Sequence, residues 1–436
     1  MGRRAMVAVV VLAALVTGVS ACSEPEPEAT TAETTTTARP AAGCETDDLL
    51  ACARRSTIGD LVPDEPTKAD GEPIVLGMVN QENTAAGSFP ELSQAVQAGI
   101  EFVNEELGGV DGRPLELQVC NTKFSTEGST ACAQQFVEAK VPAVLGGIDV
   151  FGTAIETLDD NGVPYIGGIP VSAPSVERRN SFQWSGGSWG AAVAFADYAI
   201  REVKAKKVAI VYGEFGSITQ SAEYAEKVLD DAGVAVQLVP YPILSTDISS
   251  PLGAALSGDP DAIVVLAADT GCKPAFQGIE ASGTDAQIFY VGACAAPTIL
   301  ADVDTSATDG GIFNVEGPID RADPAPDFTL YSAIIERYGD GLDPVGAGTV
   351  SFRSFMNLYA VLRELGADGI GPKAIIDSLS SKVDEPSFMG HPYTCDGKQF
   401  DGLPAMYSPQ QILAVMKDRN LTQVGDWVDV GAIYAG

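Results

Sequence analysis

Residues 74–121 read IVLGMVNQENTAAGSFPELSQAVQAGIEFVNEELGGVDGRPLELQVCN. Ile74–Val79 is a short apolar run of strand length. Leu92, Val96, Ile100, Val103 and Leu107 then recur at steps of four, four, three and four, which sets them on one face of a helix. Gly108-Gly109 ends that helix, and Leu115–Cys120 opens a second apolar run. Two strands separated by one helix suit a parallel pair, which needs such a crossover. The stretch therefore predicts a βαβ unit.

The same rhythm extends outward. A helix near Thr126–Glu138, a strand Ala143–Gly147, a helix Phe151–Asp160 and a strand Pro164–Gly168 continue the first set. A second set runs from a helix Trp189–Val203 through a strand Lys207–Tyr212, a helix Thr219–Asp231 and a strand Ala235–Val239. It is completed by strand Ala262–Leu266, helix Lys273–Ala281 and strands Ile288–Val291 and Gly311–Val315. Helices near Pro326–Tyr338, Ser351–Leu365 and Pro372–Leu379 follow, and Gln411–Met416 and Gln423–Val428 read as strands. Short apolar strands alternating with helices predict parallel sheets covered on both faces. The fold class is α/β, with two doubly wound parallel-sheet lobes.

At the amino end, Arg3-Arg4 precedes an apolar stretch from Met6 to Val16 that is too short to span a bilayer. Residues 1–21 thus read as an export signal. Val19-Ser20-Ala21-Cys22 resembles the lipobox of bacterial lipoproteins, which implies lipidation of Cys22 and a place on the extracytoplasmic face of the cell membrane. Residues 23–42 hold no aromatic and no aliphatic residue larger than alanine, so they have nothing to bury. A flexible tether over 22–71 would reach roughly 40 Å.

The 26 basic residues are far outnumbered by 59 acidic ones, a balance that repels nucleic acid and anionic lipid alike. Besides Cys22 there are cysteines at 44, 52, 120, 132, 272, 294 and 395, with no Cys-x-x-Cys spacing and one histidine, His391. A zinc site is not indicated. Export permits disulfides. Cys44 and Cys52 flank a short loop, Cys120 and Cys132 join a strand end to its helix, and Cys272 and Cys294 follow neighbouring strands. An odd number leaves at least one thiol over.

The 74–121 stretch resembles the opening of type I solute-binding proteins, in the branch that holds the leucine/isoleucine/valine-binding proteins of ABC transporters. VPAVLGGIDVFGTA (141–154), NGVPYIGGIPVSAP (161–174), KKVAIVYGEFGS (206–217) and FMGHPYTCDGKQF (388–400) agree with it. The resemblance covers about residues 73–430. It implies a monomeric, cofactor-free receptor that closes two lobes on a small-molecule solute and serves a permease and an ATPase. Lobe one would comprise 72–184 and 316–390, and lobe two 185–315 and 391–436. Three crossings are implied, near Gln183–Gly187, Glu316–Pro318 and Met389–Tyr393. A sensor that signals through a membrane partner is the alternative use of the same architecture.

In such sheets, ligands lie beyond the carboxyl ends of strands, near helix N-termini. Gln81, Glu82, Asn83, Thr84, Asp149, Val150, Phe151, Gly152 and Ser172 are the candidates in lobe one. Glu214, Phe215, Ser217, Asp269 and Thr270 are those in lobe two. Ser172 matches the family's hydroxyl position, whereas Val150 stands where the family usually has serine. Gly292-Ala293-Cys294 lacks the family's acidic residue; Asp269 either replaces it against an ammonium or caps its own helix. Hydroxyls on one jaw and carboxylates on the other suit a zwitterionic or amide-bearing solute. One competing pattern is Gly186-Gly187-Ser188-Trp189-Gly190, a G-x-S-x-G run followed by His391. A hydrolase would need Ser188 and His391 within hydrogen-bond reach; otherwise Ser188 is a helix cap.

Overall fold

The computed structural model describes residues 48–84, 87–317 and 324–436. Strands β1 (Ile74–Asn80), β2 (Leu115–Asn121), β3 (Val144–Gly146), β4 (Tyr165–Ile166) and β5 (Ser181–Phe182) form an all-parallel sheet in the order β2-β1-β3-β4-β5. The apolar stripe of the Pro90–Glu106 helix buries Leu92, Val96, Ile100 and Val103. It packs on the Gly348–Leu365 helix, where a Cβ at Gly99 would stand 2.9 Å from the Phe355 ring. Only glycine lets the two helices approach so closely. On the opposite face, Phe136 of the Thr126–Ala139 helix rests on Gly77 in the same way, at 2.8 Å.

Lobe two is built on β6 (Lys207–Glu214), β7 (Ala235–Pro242), β8 (Ala262–Leu266), β9 (Gln287–Tyr290), β10 (Ile312–Val315), β11 (Gln411–Lys417) and β12 (Asn420–Val428). Their order is β12-β11-β10-β9-β8-β6-β7. The strands from β7 to β10 are parallel, but β11 runs antiparallel to both β10 and β12. The sheet of lobe two is therefore mixed rather than wholly parallel. A tail that re-enters beside β10 and returns through the Asp418-Arg419 turn needs no helical crossover, and both turn residues hold positive φ. The Gly187–Tyr198 helix is buried nearly all round because it lies between this sheet and flanking helices.

The folded body begins earlier than the composition implied. Leu49, Leu50, Cys52 and Ala53 form a helical turn buried in the core of lobe one. Thr57 fastens it to Asp327 through N–H (2.7 Å) and Oγ1 (2.5 Å). A tether running to Gly71 is thus corrected: the apolar cluster LLACA has enough surface to dock. Cys22 and Cys44 lie outside the described residues, and so does Pro318 of the second crossing.

Two crossings run side by side, for Gln183 N–H donates to Ala405 O (3.0 Å) and Tyr407 N–H donates to Gln183 O (2.9 Å). Tyr393 and Tyr407 still pack in the core of lobe one, whereas Phe400, Leu403 and Met406 pack in lobe two. The last passage is therefore spread over the segment between Tyr393 and Gln411, beyond Met389–Tyr393. Among the described residues, no helix is long and apolar enough to cross a membrane.

Candidate functional site

The carboxyl ends of β1 and β3 lie side by side, as do those of β6 and β8, and the loops leaving them face one another across the two lobes. Asn80, at the end of β1, organises its side of this cleft. Its Oδ1 accepts from Ile148 N–H (3.1 Å), and its Nδ2 donates to Phe89 O (2.8 Å) and to Glu82 Oε1 (3.0 Å). Ser93 also donates to Glu82 Oε1, at 2.6 Å. The loop holding Gln81, Glu82, Asn83 and Thr84 folds back on itself: Thr84 Oγ1 donates to Gly87 O (2.6 Å) and Asn83 N–H to Ser88 Oγ (2.9 Å).

Three contacts cross the cleft. Ser217 Oγ donates to Val171 O. Phe151 meets Phe215 edge-on, with centroids 6.1 Å apart, and Phe124 extends the row at 5.3 Å. Asp269 Oδ2 lies 3.3 Å from where a Cβ on Gly87 would stand. The candidates of both jaws are thereby brought together. Ser217 is engaged in holding the lobes, and Thr270 Oγ1 donates to Ile243 O (3.4 Å). Glu214 is exposed at the rim, and Val150 is half-buried against the core of lobe one.

Asp149 has a different role from the one its position suggested. It is 2% exposed, and both carboxylate oxygens lie 2.8 Å from Ser129 Oγ. Ser129 Oγ in turn accepts the Ala154 N–H at 2.8 Å, and the backbone of residues 151, 152 and 154 lies close enough to favour the charged carboxylate. Burial raises the Asp149 pKa, and these neighbours act against that rise. The turn at the start of the Thr153–Asp160 helix is thus filled from within. Beside it, Ser172 Oγ is buried without a hydrogen-bond partner, 2.8 Å from the place of a Cβ on Gly152, which holds φ at 72°.

Asp269 does not cap its helix. The cap position is Ala268, and no side-chain cap bond is made. Burial pushes the Asp269 carboxyl up to about 6. Glu91, in the first turn of the Pro90–Glu106 helix, is also raised, first by burial and then by the charges of Asp269 and Glu82. Asn80 opens the Asn80–Phe89 loop that the strand-end rule selects, whereas Glu91 is not marked by the sequence. A polar residue closing an apolar strand was the available signal for Asn80; nothing local marked Glu91.

The hydrolase pattern does not assemble. Ser188 shares a hydrogen bond with Ser221 (2.9 Å), while His391 Nδ1 lies 2.9 Å from Pro392 O and its ring stands against Trp427. Gly186, not Ser188, occupies the helix cap. A depression of about 790 Å³ exists elsewhere, at the amino ends of β8 and β9, lined by Glu202, Asp261, Glu280 and Asp285. It sits at the wrong end of the sheet for helix N-termini to reach a ligand.

The sulfurs of Cys120 and Cys132 are paired across a Cα separation of 5.5 Å, and those of Cys272 and Cys294 across 5.3 Å. Among the described residues Cys395 is the free thiol, with its pKa pushed up to about 12 by burial.

Known structures share this architecture. A leucine binding protein from Thermotoga maritima superposes with a TM-score of 0.67 at 16% identity, covering 81% of this chain and 98% of that one. A branched-chain amino acid transporter substrate binding protein from Streptococcus pneumoniae, in complex with isoleucine, gives 0.66 at 16%, covering 82% and 99%. A fatty acid ABC transporter substrate-binding protein from Thermomonospora curvata gives 0.68 at 16%, covering 86% and 97%. At such identities these likenesses establish the fold alone. Comparison with curated proteins yields no significant match. The sequence model of the periplasmic binding protein family matches residues 73–401, three quarters of the chain, and the chain belongs to that family in its type I, two-lobed form.

Proposed function

We propose that this protein is a lipid-anchored receptor on the extracytoplasmic face of the membrane. It closes its lobes on a small amine- or amide-bearing solute and delivers it to the permease and ATPase of an ABC importer. The observation that carries this reading is the cleft itself. Side chains and backbone from both lobes meet there across Ser217–Val171, Phe151–Phe215 and Asp269–Gly87, and the buried Ser172 hydroxyl among them has no protein partner. Closure driven by the solute is then a population shift between open and closed forms. The structural neighbours, named as binding proteins for leucine, isoleucine or fatty acid, support transport without fixing the cargo.

A thermal-shift screen over amines, amides, amino acids, urea and short carboxylates tests the receptor reading. A true solute at a hundred times its dissociation constant adds about 2.7 kcal/mol. Failure of every class to raise the melting temperature would argue against a solute receptor. The anchor is tested separately, because Cys22→Ala removes the sulfur that would carry the lipid. The variant is expected in the soluble extracytoplasmic fraction or as unprocessed precursor. Normal processing with full membrane retention would exclude Cys22 as the anchor.

A further inference from the structure

Resting on the reading of the cleft as a solute site, we propose that its solute is a small organic cation, an alkylammonium with no carboxylate beside the amine. Two features set this protein apart from a receptor built for a free amino acid. The first is the turn at residues 149–154. Backbone N–H groups at a helix start are suited to receive an anion, but here the buried carboxylate of Asp149 already fills that turn against Ser129 Oγ, which also accepts the Ala154 N–H at 2.8 Å. A solute carboxylate arriving there would find the Ala154 donor engaged and a fixed negative charge beside the others.

The second is the charge of the opposing walls. Asp269 from lobe two faces Gly87 and interacts through space with Glu91 of lobe one, which also feels Glu82. Glu82 is held by the neutral donors Asn80 and Ser93. Lys273, one turn beyond Asp269, is turned away to Asp302 at 3.2 Å. Closing the lobes therefore brings carboxylates from both sides together, and a cation between them converts that repulsion into attraction. The remaining surfaces agree. The Phe124–Phe151–Phe215 row spans the gap between lobes and offers ring faces and edges to an alkylammonium. Ser172 Oγ supplies a buried neutral acceptor for one ammonium N–H.

Four probes that share one branched chain separate the possibilities: 3-methylbutylammonium, leucine, 4-methylpentanamide and 4-methylpentanoate. Calorimetry on the full chain in detergent is expected to rank the ammonium first, at least tenfold tighter than leucine, with no detectable binding of 4-methylpentanoate. Asp269→Asn removes a partly buried unpaired charge, so folding is not at risk. It should weaken the ammonium roughly ten- to a hundredfold, the range of a charge-assisted hydrogen bond, while leaving 4-methylpentanamide within twofold. Tighter binding of leucine or 4-methylpentanoate than of the ammonium would overturn the cation inference and leave the receptor reading standing. An ammonium that binds equally well to Asp269→Asn would also overturn it. Absence of heat from all four probes, together with a thermal-shift screen in which no class stabilises the protein, would overturn both.

Discussion

Arg353→Leu is expected to lower folding stability by about 3–5 kcal/mol, the usual cost of breaking a buried ion pair by removing one partner. Arg353 is 2% exposed on the Gly348–Leu365 helix of lobe one. It reaches the passage between lobes, where Nη1 donates to Glu316 O (2.5 Å) and Nη2 lies 3.6 Å from Glu316 Oε2. Ser185 and Gln411 lie near enough to the Glu316 carboxylate to favour its charged form, and a Cβ on Gly390 would stand 3.0 Å from Arg353 Cδ. All three passages between lobes thus meet at this pair. Burial raises the Glu316 pKa and lowers that of Arg353, while each charge opposes the other's shift.

Without the guanidinium, Glu316 is left as an uncompensated buried carboxylate whose pKa rises further. A raised carboxyl pKa means stability retained at low pH and lost as pH climbs through that value. The deficit of Arg353→Leu should therefore be smaller at pH 5 than at pH 8. Replacing both residues with leucine should cost less than the single change, because no orphan charge remains. Urea unfolding of parent, single and double variants at the two pH values decides the matter. An unshifted midpoint in Arg353→Leu, or a double variant less stable than the single, would show that the pair does not hold the passage together.

How much of this was legible beforehand depended on how local each cause was. Ile74–Val79 and the stripe from Leu92 to Leu107 carry their own burial pattern, and the strand and helix formed there. The Ser249–Leu256 helix was not seen, because SSPLGAAL buries only Leu252 and Ala255 and carries no long stripe. The tail strands were found without their direction, since antiparallel pairing of β11 with β10 is set by a partner about a hundred residues away. The site shows the same divide. Strand-end loops located both jaws, yet Asp149 read as a ligand contact because its partner Ser129 stands on a different helix. Asp269 left two readings open, and only the position of Ala268 at the cap removes one of them.

Cys272 and Cys294 illustrate a long-range constraint that was legible, and its loss should be the second large effect. Both are fully buried, one in the first turn of the Asp269–Ser282 helix after β8 and the other in the Gly292–Ala295 turn after β9. Because β8 and β9 are adjacent and parallel, their exits approach to a Cα separation of 5.3 Å, within disulfide reach. The pair closes a loop with a sequence separation of 22, for which the chain-entropy relation gives about 3 kcal/mol of stabilisation. Cys272→Ala/Cys294→Ala is accordingly expected to unfold at a lower urea concentration by that amount, and reductant should destabilise the parent more than the variant. A local consequence follows from the placement, since Cys272 lies three residues beyond Asp269. Loosening that first turn should weaken solute binding more than the same change at Cys120 and Cys132, which join a strand end and helix of lobe one. Equal stability of parent and variant without reductant would mean that the bond contributes nothing to the fold. Equal losses of affinity for the two cysteine pairs would mean that it does not position Asp269.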